Sequence, residues 1–516
     1  MLGTVVPGLG TASAQAGTVT PAAWGECPAD QLTDIPAAER PQYSCAVQQV
    51  PVDHSRPRGE SIGIAMMRHR ATDPAKKIGS LFVNPGGPSV SGLIWSLYAT
   101  YMLAPEVLEK FDVVGFDPRG VGRSAPLRCF RTQEEADAVN VGWSSLPITE
   151  DEIASTLRQS KAYTDYCGIN GGPLLNHMST EAVARDLDVL REAVGDKQLT
   201  YVGLSYGTLI GATYANIFPG KSRALVLDGN VDPRLRLTNG TEYDRERAQG
   251  LEISLDAMLK RCDAAGVAKC AFAGDARRKF DDLRESLRKA PTTLADGRKV
   301  TLADLVDRTA SYLYSPSRFA TLTQWLQSIH VAQHPAAARA FGVQPVVDLP
   351  PLDNRGGRAD VRVLLLPESP YASDDSFFAI NCTDMPFPRT TRDWEGTAAR
   401  WEKESPTFGR GMAATELMTC PTWPAHDPDR WIDPWHRKTP NPVVVVGNYY
   451  DPATRYVFAQ RMAKELGNAR LISVDALGHG ILGYSRGVDA AVGRYLVDLT
   501  APADGSVFQP NERPFA

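Results

Sequence analysis

A single serine stands between two glycines at residues 203–207, GLSYG, directly after the apolar run LTYV. A serine hydroxyl becomes a nucleophile when a base removes its proton, an acid orients that base, and donors stabilise the oxyanion that forms. Gly-x-Ser-x-Gly in a strand-to-helix turn is typical of such a nucleophile, with Asp or Glu and then His following in the chain. Because the motif is short and the chain has 43 glycines, the prediction for Ser205 depends on finding its partners.

The partners of Ser205 are sought among the later turns. Of eight histidines, His479 is the one that lies in a turn directly after a late apolar run, between two glycines. Asp451 ends the preceding run, PVVVVGNYYD. Asp475 is a rival acid, but it stands four residues from His479, too close in the chain to aim at the ring, and Asp384 falls in a region predicted to be inserted. We predict Ser205 as nucleophile, Asp451 as acid and His479 as base.

An oxyanion would need two backbone donors. The first is the N–H of the residue after the nucleophile, Tyr206, and the second comes from the loop after an early strand. The segment NPGGPSVSG (84–92) fits that loop, because its glycines allow a close approach of substrate. We predict Gly87 as the second donor, with Gly86 as the next choice. The alternative is an ordinary Pro-Gly turn.

The predicted catalytic residues can meet only if the strands that precede them end at one edge of a sheet. Six short apolar runs end in polar or glycine-rich turns, at 79–87, 111–122, 199–207, 223–231, 442–451 and 469–480. Each run is continuously apolar, which is typical of parallel strands covered on both faces. Helix-like segments lie between them, including 180–195 with Thr180 as its predicted N-cap. The sequence therefore predicts an α/β-hydrolase fold: a mostly parallel central sheet with helices on both faces.

The strand and helix alternation stops after Asp232 and resumes before the last two strands. At 516 residues the chain is also too long for one compact core. We predict a signal-peptide remnant at 1–16, a hydrolase core in two parts at 17–232 and 436–516, and a largely helical inserted cap at 233–435. Residues 2–16 are uncharged, apolar and small, like the rear half of a secretory signal.

The eight cysteines permit 105 pairings, so the sequence leaves their connectivity open. Pairing neighbours in order closes modest loops and gives a hypothesis of four disulfides: Cys27–Cys45, Cys129–Cys167, Cys262–Cys270 and Cys382–Cys420.

Several classes of function find no support in the sequence. A net charge of −5 gives no electrostatic case for nucleic acid, and no apolar run reaches the roughly 20 residues of a membrane span. Histidine and cysteine spacings indicate no metal site, and no glycine-rich fingerprint indicates a dinucleotide, so no cofactor is predicted. The DPRG segment (117–120) is predicted to be a structural turn with Arg119 in an ion pair.

The chain resembles the tripeptidyl aminopeptidase family of secreted actinobacterial α/β-hydrolases, which are related to proline iminopeptidases. The resemblance covers roughly residues 24–500 and rests on NPGGP (84–88), FDVVGFDPRGVGRS (111–124), ARDLDVLREAVG (184–195), YVGLSYGT (201–208), LDGNVDP (227–233), INCTDMPFP (380–388), CPTWP (420–424), GNYYDPATRY (447–456) and GHG (478–480). It implies a bacterial serine exopeptidase with an inserted cap that takes short peptides from free N-termini. We also predict that the protein is a monomer and that it is secreted or cell-wall associated. The family triad falls on Ser205, Asp451 and His479, and Thr454 matches a family position near that triad.

Two departures from the family border the expected pocket: Ser89-Val90-Ser91-Gly92 replaces a glycine-rich stretch, and Arg455 replaces a frequent proline. Both changes bear on the substrate and not on the chemistry, and an esterase or lactonase acting on a small natural product is the alternative. A non-catalytic binding protein is a third, less favoured hypothesis. An exopeptidase also needs acids for the substrate ammonium, for which Glu242, Asp244 and Glu246 are candidates, although exposed charge is the simpler interpretation of each.

Overall fold

The computed structural model describes residues 19–334, 370–371 and 374–516, so the predicted signal remnant at 1–16 lies outside the described residues. The strands are β1 (Tyr43–Pro51), β2 (Ser61–His69), β3 (Gly79–Asn84), β4 (Phe111–Phe116), β5 (Leu199–Leu204), β6 (Ser222–Asp228), β7 (Thr292–Thr293), β8 (Lys299–Val300), β9 (Val443–Tyr450), β10 (Ala469–Leu477) and β11 (Ser506–Phe508). The helices are α1 (Leu93–Met102), α2 (Pro105–Lys110), α3 (Gln133–Asn140), α4 (Glu150–Asn170), α5 (Thr180–Ala193), α6 (Tyr206–Ile217), α7 (Pro233–Thr238), α8 (Gly240–Ala265), α9 (Ala276–Lys289), α10 (Leu302–Leu313), α11 (Phe319–Gln333), α12 (Asp375–Asp384), α13 (Trp394–Glu404), α14 (Gly409–Ala414), α15 (Glu416–Thr419), α16 (Tyr456–Glu465) and α17 (Arg486–Asp498).

One large sheet organises the molecule, in the strand order β1-β2-β4-β3-β5-β6-β9-β10-β11. The β1–β2 and β2–β4 pairs are antiparallel, and every later neighbour in this order is parallel. The six predicted strands are β3, β4, β5, β6, β9 and β10. The predicted α/β-hydrolase fold with a mostly parallel sheet is confirmed.

Helices cover both faces of this sheet, which explains why its central strands are apolar at every position. Successive side chains of a strand point to opposite faces. In β3, Leu81 belongs to one apolar cluster with Val107 and Tyr495, whereas its neighbour Phe82 belongs to another cluster with Leu187. Every residue of β4 and β5 is buried. The strand ends that carry the candidate site are therefore held in a rigid layer.

The start of α5 differs from the prediction by one residue. Ser179 is the N-cap and its hydroxyl accepts from the N–H of Ala182. The predicted N-cap, Thr180, is wrong: it is the first helical residue, and its hydroxyl bonds to Asp384 at 2.5 Å and to the hydroxyl of Tyr206 at 2.6 Å. Ser179 and Thr180 are adjacent, and the hydroxyl of either residue can cap a helix, so the sequence alone does not separate them.

The chain between β6 and β9 carries α7 to α15 and the β7–β8 hairpin. Part of this inserted segment has its own apolar core, in which Leu255, Phe272, Phe280 and Leu322 are fully buried. The predicted cap boundaries of 233–435 remain a prediction. Helix α4, which lies between β4 and β5 in the chain, also packs against α15 of the inserted segment.

The structure joins all eight cysteines in the sequential order of the hypothesis, as Cys27–Cys45, Cys129–Cys167, Cys262–Cys270 and Cys382–Cys420. In the described part of the chain, no helix is both long enough and apolar enough to cross a membrane.

Candidate active site

Ser205 occupies a strained turn between the last residue of β5 and the first residue of α6. Its φ of 55° and ψ of −125° are uncommon for a residue with a side chain. Its N–H donates to the carbonyl of Asp228, at the end of β6, over 2.9 Å. This is the sharp strand-to-helix turn that raises a serine hydroxyl above a sheet in the predicted arrangement.

The two glycines that flank Ser205 are required by close packing. A Cβ at Gly203 would lie 2.6 Å from the ring of Tyr201, and it would also collide with the carbonyl of Gly207. A Cβ at Gly207 would lie 2.6 Å from the carbonyl of Asn84. The glycine spacing of the motif is therefore a packing requirement of this turn.

Asp451 and His479 form a close pair at the ends of β9 and β10. Nδ1 of His479 lies 3.0 Å from each carboxylate oxygen of Asp451. Asp451 is 2% exposed, and its Oδ1 also accepts from the N–H groups of Ala453 and Thr454. A carboxylate in this position favours the tautomer with the proton on Nδ1, which leaves the Nε2 lone pair available as a base. The hydroxyl of Thr454 lies 3.4 Å from the same Nδ1.

The rival acids are directed to other partners. Asp475 accepts from Arg261 at 3.2 Å. Asp384 accepts from the N–H and the hydroxyl of Thr180. Asp451 is therefore the acid that the structure brings to His479.

Ser205 and His479 both lie close to Asp228 and Gly229. The carbonyl of Asp228 accepts from Ser205, and a Cβ at Gly229 would lie 3.1 Å from Cε1 of His479. A Cβ at Gly480 would lie 3.7 Å from Cδ2 of Leu204, the residue before the serine. The three predicted residues therefore share the carboxyl edge of the sheet.

The loop after β3 lies directly against the serine turn. A Cβ at Gly86 would lie 2.5 Å from the carbonyl of Leu204 and 2.7 Å from the nitrogen of Tyr206. The N–H of Gly86, the second choice of donor, donates to the side chain of Asn84. Tyr206 heads helix α6, where a first-turn N–H has no intrahelical acceptor. Gly87 and Tyr206 remain the predicted oxyanion donors.

The inserted segment contacts the loops that carry His479, Ser89 and Arg455. The sequence did not predict these contacts. The carbonyl of Tyr314 accepts from the N–H of His479 at 2.9 Å, and the two rings meet edge to face with centroids 5.3 Å apart. Ser89 donates to Asp374. Arg455 donates to Glu246 at 3.1 Å. The two departures from the family pattern, at Ser89 and Arg455, thus contact the inserted segment.

The acids named as candidates for a substrate ammonium are already paired with arginines. Glu242 pairs with Arg245 and Asp244 with Arg247. Glu246 pairs with both Arg455 and Arg461. Because Glu242 and Glu246 are paired within the protein and Asp244 is fully buried, we do not assign the substrate amine to these three residues.

The pKa values near the site reflect burial. Burial raises the pKa of the Asp228 carboxyl to about 6, although its backbone hydrogen bonds and His479 act in the opposite direction. Burial also raises the pKa of Asp244 to about 8, and the neighbouring Glu416 adds to the rise. Both acids are completely enclosed. Asp228 is the one that bonds to the loop carrying His479.

The DPRG segment follows the end of β4, and its arginine has a structural partner. Arg119 is fully buried and donates to Asp186 at 2.6 and 2.8 Å, which confirms its structural ion pair. Among the described residues, no group of His, Cys, Asp and Glu side chains has a geometry that could hold a metal ion.

Comparison with known proteins places this geometry in a family. Residues 79–324 match the family described as "alpha/beta hydrolase fold", and residues 405–507 match the family described as "TAP-like protein". The chain is 31% identical to serine protease Hip1 of Mycobacterium tuberculosis, over 90% of this chain and 86% of that protein. It is also 31% identical to the tripeptidyl aminopeptidase of Streptomyces lividans, over 89% of this chain and 81% of that protein.

A third relative carries a different activity in its name. The chain is 30% identical to carboxylesterase B of Mycobacterium tuberculosis, over 89% of this chain and 85% of that protein. All three relatives are matched along most of their length, so the similarity includes the sheet and the inserted segment together. The chain is a serine hydrolase that belongs to the TAP-like family of α/β-hydrolases.

Proposed function

We propose that the protein is a serine exopeptidase that releases short peptides from free N-termini, with Ser205 as nucleophile, His479 as base and Asp451 as the orienting acid. The observation that carries the proposal is the 3.0 Å contact of Nδ1 of His479 with Asp451, beside the strained turn of Ser205. The names of two relatives, serine protease and tripeptidyl aminopeptidase, support a peptide substrate.

The reaction has two halves. Nε2 of His479 takes the proton of the Ser205 hydroxyl while Oγ attacks the scissile carbonyl carbon, and the N–H groups of Tyr206 and Gly87 stabilise the oxyanion. The C–N bond then breaks, and His479 returns the proton to the leaving amine. Water attacks the acyl-enzyme ester, His479 takes the water proton and gives it to Oγ, and the peptide acid leaves.

Asp451 would hold the imidazole and stabilise its charged form through both steps. Thr454, with its hydroxyl 3.4 Å from Nδ1 of His479, would help to fix the same ring. The loop containing Gly87 is held by residues of both the core and the insertion. This arrangement supports a site whose alignment depends on the two parts packing together.

Digestion of a peptide library, with products read by mass, tests the exopeptidase proposal. We expect products that leave from the amino end in units of constant length, and we expect N-acylated peptides to resist cleavage. Random internal cleavage would contradict exopeptidase action. The same digestion of the Ser205→Ala variant controls for contaminating peptidases.

The second candidate is a carboxylesterase or lactonase, which the name of the third relative favours. Parallel assays with free tripeptide anilides, N-acylated tripeptide anilides and p-nitrophenyl esters separate the two candidates. Hydrolysis of esters alone would select the second candidate.

We also propose that the protein is exported and acts as a monomer. Four disulfides support an oxidising compartment, because such bridges persist mainly outside the cytosol. Cell fractionation tests the location, and light scattering coupled to size-exclusion chromatography tests the oligomeric state.

A further inference from the structure

Asp228 bonds to both loops that carry the proposed proton relay. Its backbone carbonyl accepts from the N–H of Ser205 at 2.9 Å. Its Oδ2 accepts from the N–H groups of Ile481 at 2.8 Å and Leu482 at 2.9 Å, just after His479. One residue at the end of β6 therefore connects the serine turn with the histidine loop.

The glycines around Asp228 let the histidine loop approach it closely. Gly480 has a φ of 77°, and a Cβ there would lie 3.5 Å from Oδ2 of Asp228. Gly229 has a φ of 68°, and a Cβ there would press on the ring of His479. Nδ2 of Asn448 also donates to the carbonyls of Gly478 and Gly480. The loop is therefore held by hydrogen bonds from two residues, and the Asp228 carboxylate is one of them.

Burial of the Asp228 carboxylate lowers the stability of the folded protein. The carboxylate is fully buried, and its Oδ1 has no hydrogen-bond partner among the described residues. A buried acid with an unsatisfied oxygen destabilises a protein, so its presence here indicates a role other than stability. His479 and Asp451 are the charged or titratable groups that act on it, one favouring and one opposing its negative form.

We propose that Asp228 is a positioning residue that fixes the His479 loop relative to Ser205 and whose negative charge favours the imidazolium form of His479. This inference rests on the proposed relay of Ser205, His479 and Asp451. It gives a role to the LDGNVDP segment (227–233), which the relay itself does not use. The hydrogen bonds set the position of the loop, and the charge acts when the imidazole receives the serine proton.

The test compares Asp228→Asn with Asp228→Ala. The asparagine keeps an oxygen that can accept the two N–H bonds but removes the charge, whereas the alanine removes both. The control is Asp196→Asn, because Oδ2 of Asp196 also accepts a backbone N–H, from Ser80, at the amino end of β3. The measurement is the rate of labelling of Ser205 by a fluorophosphonate across pH 4–9, with folding checked by circular dichroism. This readout does not depend on whether the substrate is a peptide or an ester.

We expect labelling of Asp228→Ala to fall by about 10- to 100-fold, since small misplacements of reacting groups have effects of that size. Asp228→Asn should lose less rate, and its acid-side apparent pKa should be lower than that of the wild type, a shift that a merely structural role would not produce. Asp196→Asn should behave as the wild type.

Wild-type rates and an unmoved acid-side pKa in Asp228→Asn would overturn this inference alone, even if Asp228→Ala fails to fold. Absence of labelling in the folded wild type would overturn the proposed function and this inference with it.

Discussion

The backbone N–H of His479 donates to the carbonyl of Tyr314 across 2.9 Å, and the two rings meet at an interplanar angle of 76°. His479 follows a core strand, whereas Tyr314 lies in the turn between α10 and α11 of the inserted segment. The insertion therefore does more than cover the sheet: it forms part of the support of the histidine.

We expect Tyr314→Ala to lower kcat/KM by about 3- to 10-fold, because an edge-to-face ring contact contributes about 0.5–1.5 kcal/mol. Tyr314→Phe keeps the ring and should remain close to the wild type. Steady-state assays with the best substrate from the peptide library measure both. Equal losses in the two variants would show that the hydroxyl, and not the ring contact, is responsible.

Asp451→Asn should lower kcat by about 10,000-fold, because the amide favours the wrong tautomer of His479. The matched control is Asp475→Asn, since Asp475 pairs with Arg261 and is a partly exposed acid of the same region. That control should change kcat by no more than about twofold, as partly exposed ion pairs contribute little. Single-turnover assays measure both variants, and an inactive Asp475→Asn with an active Asp451→Asn would reverse the assignment.

Gly86→Ala should lower kcat by about 100-fold or more, since the new Cβ would meet the serine turn at 2.5–2.9 Å and disturb the proposed oxyanion donors. Gly195→Ala is the matched control, because Gly195 has a similar φ of 87° and a Cβ there meets nothing within 4 Å. Circular dichroism checks that both variants fold. A fully active Gly86→Ala would show that this loop tolerates displacement and would count against its role.

Asp228→Asn should stabilise the protein at neutral pH. The folded-state pKa of Asp228 is raised from 3.8 to about 6, so between these values the folded chain binds more protons than the unfolded chain. Stability conferred at low pH is therefore lost as the pH rises through this window, by up to about 3 kcal/mol. Urea unfolding at pH 4 and pH 7 should show that the free energy of unfolding of the variant, relative to that of the wild type, increases with pH. A constant difference at the two pH values would contradict the raised pKa.

The sequence was informative where a pattern is local. The continuous apolar runs predicted six strands correctly, because both faces of those strands are covered. It did not reveal β1 and β2, whose burial is less regular at the antiparallel edge of the sheet. The N-cap of α5 was wrong by one residue because Ser179 and Thr180 offer the same chemistry.

For the site, chain order was sufficient to pair Asp451 with His479, since parallel strands end at one edge of the sheet. The contacts of Tyr314 and Asp374 with the site loops could not be predicted in the same way. They depend on how an insertion of many helices packs on the sheet, and no motif marks them. Asp228 was visible as part of a motif, but its hydrogen bonds to residues 481 and 482 required the fold.

The four bridges join cysteines that are 8 to 38 residues apart, and no bridge overlaps another along the chain. A polypeptide threaded through a membrane pore from its amino end would therefore present each pair complete before the first cysteine of the next pair emerged. If the chain is exported as proposed, oxidation in order of arrival would give this pattern without reshuffling by an isomerase. The four bridges would then be complete before the strands bearing Asp451 and His479 emerge.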